Sequence, residues 1–209
     1  MESKRLEITE RALNLFCQFG IKSVSMDDMA RELGMSKKTL YQLIDDKNKL
    51  VEATLEMAIE KDAELMSIFK REDLNAIEHY FEFKKVMEPH IGQYKPTMMY
   101  DLKKYYPGLL NSFKERQKKF VIEAYTANLK QGKREGNYHD DINEDIIARI
   151  LLTHHLFTFD ESVGVFTNAD LNNLEFYSEI YKYHFRGICT EKGLKEVERL
   201  FCENDEKQK

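Results

Sequence analysis

The sequence predicts an all-α protein, with three short helices at the N-terminus and a larger helical segment after them, about nine or ten helices in all. Three observations carry this. Glycine and proline are scarce, nine and three among 209 residues, so the turns that a many-stranded sheet needs are missing. Apolar residues recur three and four apart along most of the chain, which is the spacing of one helix face. Ser or Asp stands before several of these runs, and Gly or Pro after them.

Taken in order, Leu6, Ala12, Leu15, Phe16 and Phe19 predict a first helix that Gly20 ends. Ser25, with Asp28 three residues on, has the form of a capping box for a second helix, lined by Met26, Met29, Ala30 and Leu33 and stopped by Gly34. Ser36 caps a third helix that runs to Leu43. Asp46 caps a fourth, with Leu50, Ala53, Thr54, Met57 and Ala58 on its buried side. The pattern loosens at residues 70–73, and a fifth helix is predicted from Leu74 to Met87, closed by Pro89. Pro96 opens a sixth over Thr97–Tyr105, Pro107 a seventh that reaches Lys130, and GKREGNYHDD reads as a loop. An eighth covers Glu144–Phe159, a ninth Leu171–Arg186, and a tenth Leu194–Phe201 before a frayed charged tail, ENDEKQK.

Charge is unevenly spread. The whole chain carries a formal −5, but residues 1–50 sum to +1 and the remainder to −6. That balance excludes indiscriminate coating of nucleic acid and leaves room for one basic face near the N-terminus. No apolar run approaches the roughly 20 residues of a membrane-spanning helix, and MESKRLEITERAL has no apolar signal core. Cys17, Cys189 and Cys202 form no CxxC pair and are odd in number, which argues against a disulfide framework. A cytoplasmic protein is expected, with no membrane partner.

Residues 26–43 have the pattern of a helix-turn-helix: a short helix, a turn with Gly34 where positive φ is needed, and a second short helix. Ala30 is small where two helices cross, and Leu40 and Leu43 point inward. This leaves Lys37, Lys38, Thr39, Tyr41 and Gln42 outward at the start of the helix that enters a major groove in such motifs. Lysines there reach phosphates or guanine edges, Thr39 bonds or touches a thymine methyl, Gln42 pairs with adenine, and Tyr41 donates to a phosphate. The helix starts at Ser36 and Asp46 favour phosphate approach.

These residues also carry a resemblance. The run RALNLFCQFGIKSVSMDDMARELGMSKKTLYQLIDDKNKLVEATL resembles the DNA-binding domain of the TetR family of transcriptional regulators over residues 6–55. It has Ala-x-x-Leu-Phe and Gly of helix one, the Ser, Ala, Gly, Ser and Leu-Tyr of helices two and three, and Lys-x-x-Leu on helix four. The resemblance implies DNA contacts at Ser25, Lys37, Lys38, Thr39, Tyr41 and Lys47; Ser36 and Gln42 join them from the helix-turn-helix reading. One departure stands out. Where the family often has Tyr-x-His-Phe, this chain has Tyr41-Gln42-Leu43-Ile44: Ile44 fills the apolar position, but Leu43 supplies no polar contact.

Two domains are therefore expected, a helix-turn-helix DNA-binding domain at 1–48 and a helical ligand-binding and dimerisation domain at 49–209. FRGICTEKG at 185–193 resembles the way family members close their last long helix. In the family the last two long helices pair with their twofold mates in a four-helix bundle. Candidates here are Ile146, Ile147, Ile150, Leu151, Leu156 and Phe157 on the eighth helix, and Leu174, Tyr177, Ile180, Tyr181 and His184 on the ninth. A homodimer also suits a pseudo-palindromic operator, whose half-sites lie about 34 Å apart. Helices four to seven are expected to enclose an effector pocket lined by His90, Met98, Met99, Tyr100, Tyr105, Phe120, Tyr125 and Phe157, suited to an aromatic or amphipathic small molecule. Most of these residues fit an ordinary core equally well.

His154 and His155 point about 100° apart on a helix and do not chelate one ion together, so a buried or dimer-interface role is expected of them. A di-iron carboxylate enzyme needs Glu-x-x-His pairs, and none of the six histidines has Glu three residues earlier. Neither an enzyme nor a cofactor is expected. The leading functional expectation is a regulator, a repressor that a small molecule releases from its operator. The alternative is a DNA-organising or adaptor protein of the same fold that senses no ligand.

Overall fold

The computed structural model describes residues 2–88, 97–157 and 165–207; the side chains of 155–157, 168 and 203–207 lie outside the description. Eleven α-helices are formed among the described residues. They are α1 (Glu2–Phe19), α2 (Met26–Glu32), α3 (Lys37–Leu43), α4 (Lys47–Met66), α5 (Ala76–Met87) and α6 (Thr97–Tyr105). After these come α7 (Pro107–Arg134), α8 (Glu144–Phe157), α9 (Asn168–Leu171), α10 (Leu174–Ile188) and α11 (Glu191–Lys207). A 3-10 turn at Ser67–Lys70 follows α4, where the sequence pattern loosens. The all-α expectation holds: the β-pairing among the described residues is one isolated bridge between Tyr138 and Cys189.

The chain divides into two compact units. The first comprises residues 1–62 and 95–117, so α6 and the start of α7 pack with the N-terminal helices. Its core joins Ile8, Ala12 and Phe16 of α1 to Met29 and Ala30 of α2, Leu40 of α3, Leu50 and Val51 of α4, and Leu102 of α6. The buried stripe of α1 is thus Ile8, Ala12 and Phe16, four apart. Leu6 and Phe19, expected on that stripe, are exposed, because they fall outside the arc packed into that core, where α6 is the main partner of α1. Cys17 is exposed as well, with its Sγ 3.5 Å from the Met98 sulfur.

The second unit, residues 63–94 and 118–209, has an aromatic core. Phe69 meets Tyr80 and Tyr125 edge-on at centroid distances of 4.9 and 5.2 Å, and Tyr80 meets Phe185 at 5.2 Å. Beside it lies a buried polar network. Asn128 donates to the Ala76 carbonyl (2.7 Å) and lies 3.0 Å from His79 Nδ1, and Tyr138 OH donates to the same carbonyl. His79 Nε2 in turn lies 2.8 Å from the Arg71 carbonyl oxygen. Burial holds the His79 pKa below its usual value, consistent with a neutral ring that donates from Nε2 and accepts at Nδ1.

Four boundaries depart from the sequence expectation, each for a local reason. α7 runs on through Arg134 into the expected loop; Gly136, at φ +70°, marks the stop, and the Gly132 carbonyl receives the N–H groups of Asn137 and Tyr138. The expected ninth helix begins later, at Leu174 as α10, where Asn173 caps it, and Thr167 with Asp170 closes a capping box on a short additional helix, α9, before it. α5 begins at Ala76, capped by Asn75 with Glu78. α11 begins at Glu191, since Thr190 Oγ1 accepts the Gly193 N–H, and it continues through most of the expected tail.

Candidate nucleic-acid interface

The helix-turn-helix is built from two caps and one glycine. Ser25 Oγ accepts the Asp28 N–H at 3.1 Å, and the Asp28 carboxylate accepts the Ser25 N–H at 3.0 Å, which fixes the start of α2. That arrangement holds the Asp28 pKa below the usual carboxylate value, with the Ser25 hydrogen bonds as the main cause. Gly34 adopts φ +61°, the left-handed conformation that a side chain resists, and turns the chain toward α3. Ser36 Oγ then accepts the Thr39 N–H at 3.1 Å and lies 2.8 Å from the Thr39 hydroxyl. Leu40 is fully buried and Ile44 nearly so, which anchors α3 and fixes which of its faces is wet.

That wet face presents Lys37, Lys38, Tyr41 and Gln42, all exposed, with Thr39 half-buried beside its cap. The two lysines differ. Lys37 Nζ pairs with Asp27 of α2 at 2.5 Å, whereas Lys38 has no carboxylate partner among the described residues. Leu43, at the position of the family's histidine, is partly buried against the core, so Gln42 is the polar group there. The hydroxyl of Ser25 lies 2.6 Å from Asp28 and is committed to the capping box. Lys47 opens α4; partial burial lowers its pKa first, then the nearby Lys22 ammonium, while Asp101 and Asp28 oppose them. All eight expected DNA-facing residues thus lie on or beside α2, α3 and the start of α4.

The expected pocket residues fall in different places. Met98 and Met99 of α6 pack against the first core, and Tyr100 and Tyr105 are exposed. Phe120 and Tyr125 of α7 pack in the second core. His90 lies outside the described residues, as does the side chain of Phe157. Sequence reasoning missed Phe69, Tyr80 and Phe185 as the centre of the aromatic cluster, with Tyr80 OH 3.1 Å from His184 Nε2. Burial pushes His184 down to about 4. Only the tertiary contacts single these aromatics out from the other tyrosines and phenylalanines.

The expected dimer residues divide similarly. Leu151 is buried in its own core, while Ile147 and Tyr181 pack partly against it. Tyr177 OH donates to the Leu171 carbonyl at 2.9 Å, and His155 lies among the undescribed side chains. The apolar residues that face out are Ile146 and Ile150 of α8 and Leu174 and Tyr183 of α10. Among the described residues no cluster of His, Cys, Asp and Glu suits a metal ion, and no helix is long and apolar enough to cross a membrane.

Comparison with known proteins agrees with this geometry. The family model of bacterial regulatory proteins, tetR family, matches residues 8–54. An uncharacterized HTH-type transcriptional regulator of Bacillus subtilis (strain 168), YvaF, is 30% identical over 124 residues, a match spanning 57% of this chain and 65% of that relative. Among solved structures, the TetR-family protein CprB from Streptomyces coelicolor, determined with its operator, aligns with a TM-score of 0.66 at 20% identity, covering 98% of each chain. A gamma-butyrolactone receptor, an ArpA-like protein, aligns with a TM-score of 0.60 at 19% identity, covering 97% of each chain. Residues 8–54 thus carry the helix-turn-helix domain of bacterial regulatory proteins of the tetR family, and the chain shares the fold of these solved structures along nearly its whole length.

Proposed function

We propose that the protein binds a pseudo-palindromic DNA operator as a homodimer and represses transcription until a small molecule releases it. The observation that carries the DNA reading is the wet face of α3, where an unpaired Lys38, Tyr41 and Gln42 stand over a fully buried Leu40. A rigid short helix with a cation and two hydrogen-bonding groups on one face suits base edges and phosphates in a major groove. The domain division at residue 48 belongs to this proposal: residues 1–48 read DNA, and 49–209 respond and dimerise. CprB was solved with its operator, which supports operator binding here.

Release by an effector rests on α4, one unbroken helix that carries Leu50 and Val51 in the first core and Met66 in the second. A ligand acts through such an element only by binding its two positions with different affinity. Within the second unit, Phe120, Tyr125, Tyr80 and His184 suit an uncharged or weakly polar aromatic effector, and the similarity to a gamma-butyrolactone receptor favours a small molecule. The homodimer reading rests on the apolar residues that α8 and α10 leave in water.

The test is a gel shift with duplexes selected from a randomised library by the protein itself. Sequence-specific binding at 0.15 M salt is expected, with an inverted-repeat consensus and a dimer in sedimentation. Failure to select any sequence overturns the proposal. A thermal-shift screen separates the effector-free alternative, since a ligand at 100 times its dissociation constant adds about 2.7 kcal/mol.

A further inference from the structure

Lys22 and Lys104 share one aromatic ring. Lys22, in the turn after α1, holds its Nζ 5.2 Å from the centroid of Tyr105, and Lys104 of α6 holds its own 5.3 Å from that centroid. Lys104 also sits 5.6 Å from the Tyr100 ring centroid, with its Nζ 3.5 Å from the Tyr100 hydroxyl. Both lysines are exposed, and among the described residues neither meets a carboxylate at ion-pair distance. Lys38 shares this, whereas many neighbouring cations are paired. Arg11, Arg31, Lys37, Lys49, Lys61 and Arg116 each face an acidic partner.

The difference matters for charge. A carboxylate that fixes an ammonium also cancels it, whereas the face of a tyrosine ring orients an ammonium and leaves its full charge in place. Two cations held over Tyr105 therefore make a pre-oriented positive surface. It is continuous with the expected DNA face: Lys22 lies three residues before Ser25, and its ammonium is felt by Lys47 at the start of α4. Asp101 is buried, and its Oδ2 accepts the Lys22 backbone N–H at 2.7 Å, while Glu52, which lines a groove with Tyr105, pairs with Lys49. We infer that Lys22 and Lys104, held by Tyr105 and Tyr100, form a second DNA-backbone site that lies outside the helix-turn-helix and grips phosphates flanking the major groove read by α3.

This inference rests on the proposed DNA binding. Its occupant is the phosphate backbone of duplex DNA, since the site offers point charges and ring-held ammonium groups without base-reading side chains. α6 would then meet DNA directly, although it lies some sixty residues beyond the recognition helix in sequence.

The experiment measures binding of the full-length protein to a duplex it has itself selected from a random library, across a salt series. Lys22→Gln with Lys104→Gln is compared with wild type, with Lys195→Ala as the control, since Lys195 pairs with Glu191 on α11. Each phosphate contact removed lowers the slope of log K against log salt by about 0.9. The double variant is expected to lose at least about 1.8 from the slope while keeping the same consensus sequence. Phosphate-ethylation interference is expected to vanish at the outermost phosphates only. An unchanged slope and interference pattern, in variants whose circular dichroism and melting match wild type, overturns the inference and leaves the DNA reading standing. Should the double variant melt early, Lys104→Gln alone, on an exposed helix end, decides by the same two readouts. A wild-type protein that selects no duplex overturns both.

Discussion

Lys37 Nζ lies 2.5 Å from Asp27 Oδ2, an ion pair that ties the first residue of α3 to the first turn of α2. Both side chains are more than half exposed, so the pair adds little to stability, typically about 0 to 1 kcal/mol. Its consequence is electrostatic: half of the lysine pair expected to face DNA is neutralised in the free protein. Asp27→Asn is expected to leave the denaturation midpoint nearly unchanged and to tighten DNA binding several-fold at low salt. Equal affinities for variant and wild type across the salt series would show that Lys37 breaks the pair at no cost on binding.

Leu40 anchors α3 from beneath, with no exposed surface. Leu40→Ala removes that anchor and leaves a cavity, which costs about 2 to 5 kcal/mol. Urea denaturation checks the loss, and DNA binding is expected to fail at temperatures where the variant's first unit is unfolded. Ser36→Ala, which removes the cap, is expected to cost about 1 kcal/mol.

Asp62 is the carboxylate whose burial has the clearest pH signature. Burial pushes its pKa up to about 6, against the opposing hydrogen bond that Gln117 Nε2 donates to Oδ2 at 2.7 Å. The folded state thus holds the proton more tightly than the unfolded chain, whose Asp titrates near 3.9. The stabilisation is complete below about 3.9 and is lost as pH rises through about 6, up to about 3 kcal/mol at 1.36 kcal/mol per pH unit. Asp62→Asn keeps an acceptor for Gln117 and is expected to be more stable than wild type at pH 8, with little difference at pH 4. Urea midpoints at the two pH values test this.

His184 acts in the opposite direction. Burial, aided by His154, pushes it down to about 4, and its Nε2 lies 3.1 Å from Tyr80 OH. The folded state holds the ring neutral, so the contribution is complete above about 6.5 and is lost as pH falls toward about 4. Up to about 3 kcal/mol is at stake at 1.36 kcal/mol per unit. His184→Gln keeps a polar partner for Tyr80 and is expected to flatten the acid side of the stability profile without changing the alkaline side. An equally steep acid loss in the variant would place the cause elsewhere.

The sequence alone determined the class, the helix-turn-helix and the residues along its wet face, because each rests on local chemistry. Ser25 with Asp28, Gly34, and Ser36 with Thr39 act within four residues, and their hydrogen bonds and positive φ appear as the spacing predicts. Leu40 and Ile44 follow from helical period alone. Local chemistry also has limits: the period fits Leu6 and Phe19 as well as Ile8, and only the packing of distant helices, α6 above all, chooses between them. The short α9 was missed because Thr167-Asn168-Ala169-Asp170 reads as a polar turn, although Thr167 and Asp170 carry the capping box.

Tertiary structure alone decided the partners of groups far apart in the chain. It tied Lys37 to Asp27 and, among the described residues, left Lys38 without a carboxylate, set Tyr80 against His184 across 104 positions, and brought Lys22 to the Tyr105 ring that Lys104 shares. No spacing rule reaches that far. A helix period fixes which way a side chain points, whereas what it meets depends on how helices from distant parts of the chain pack, and that is set by the summed burial of the whole core.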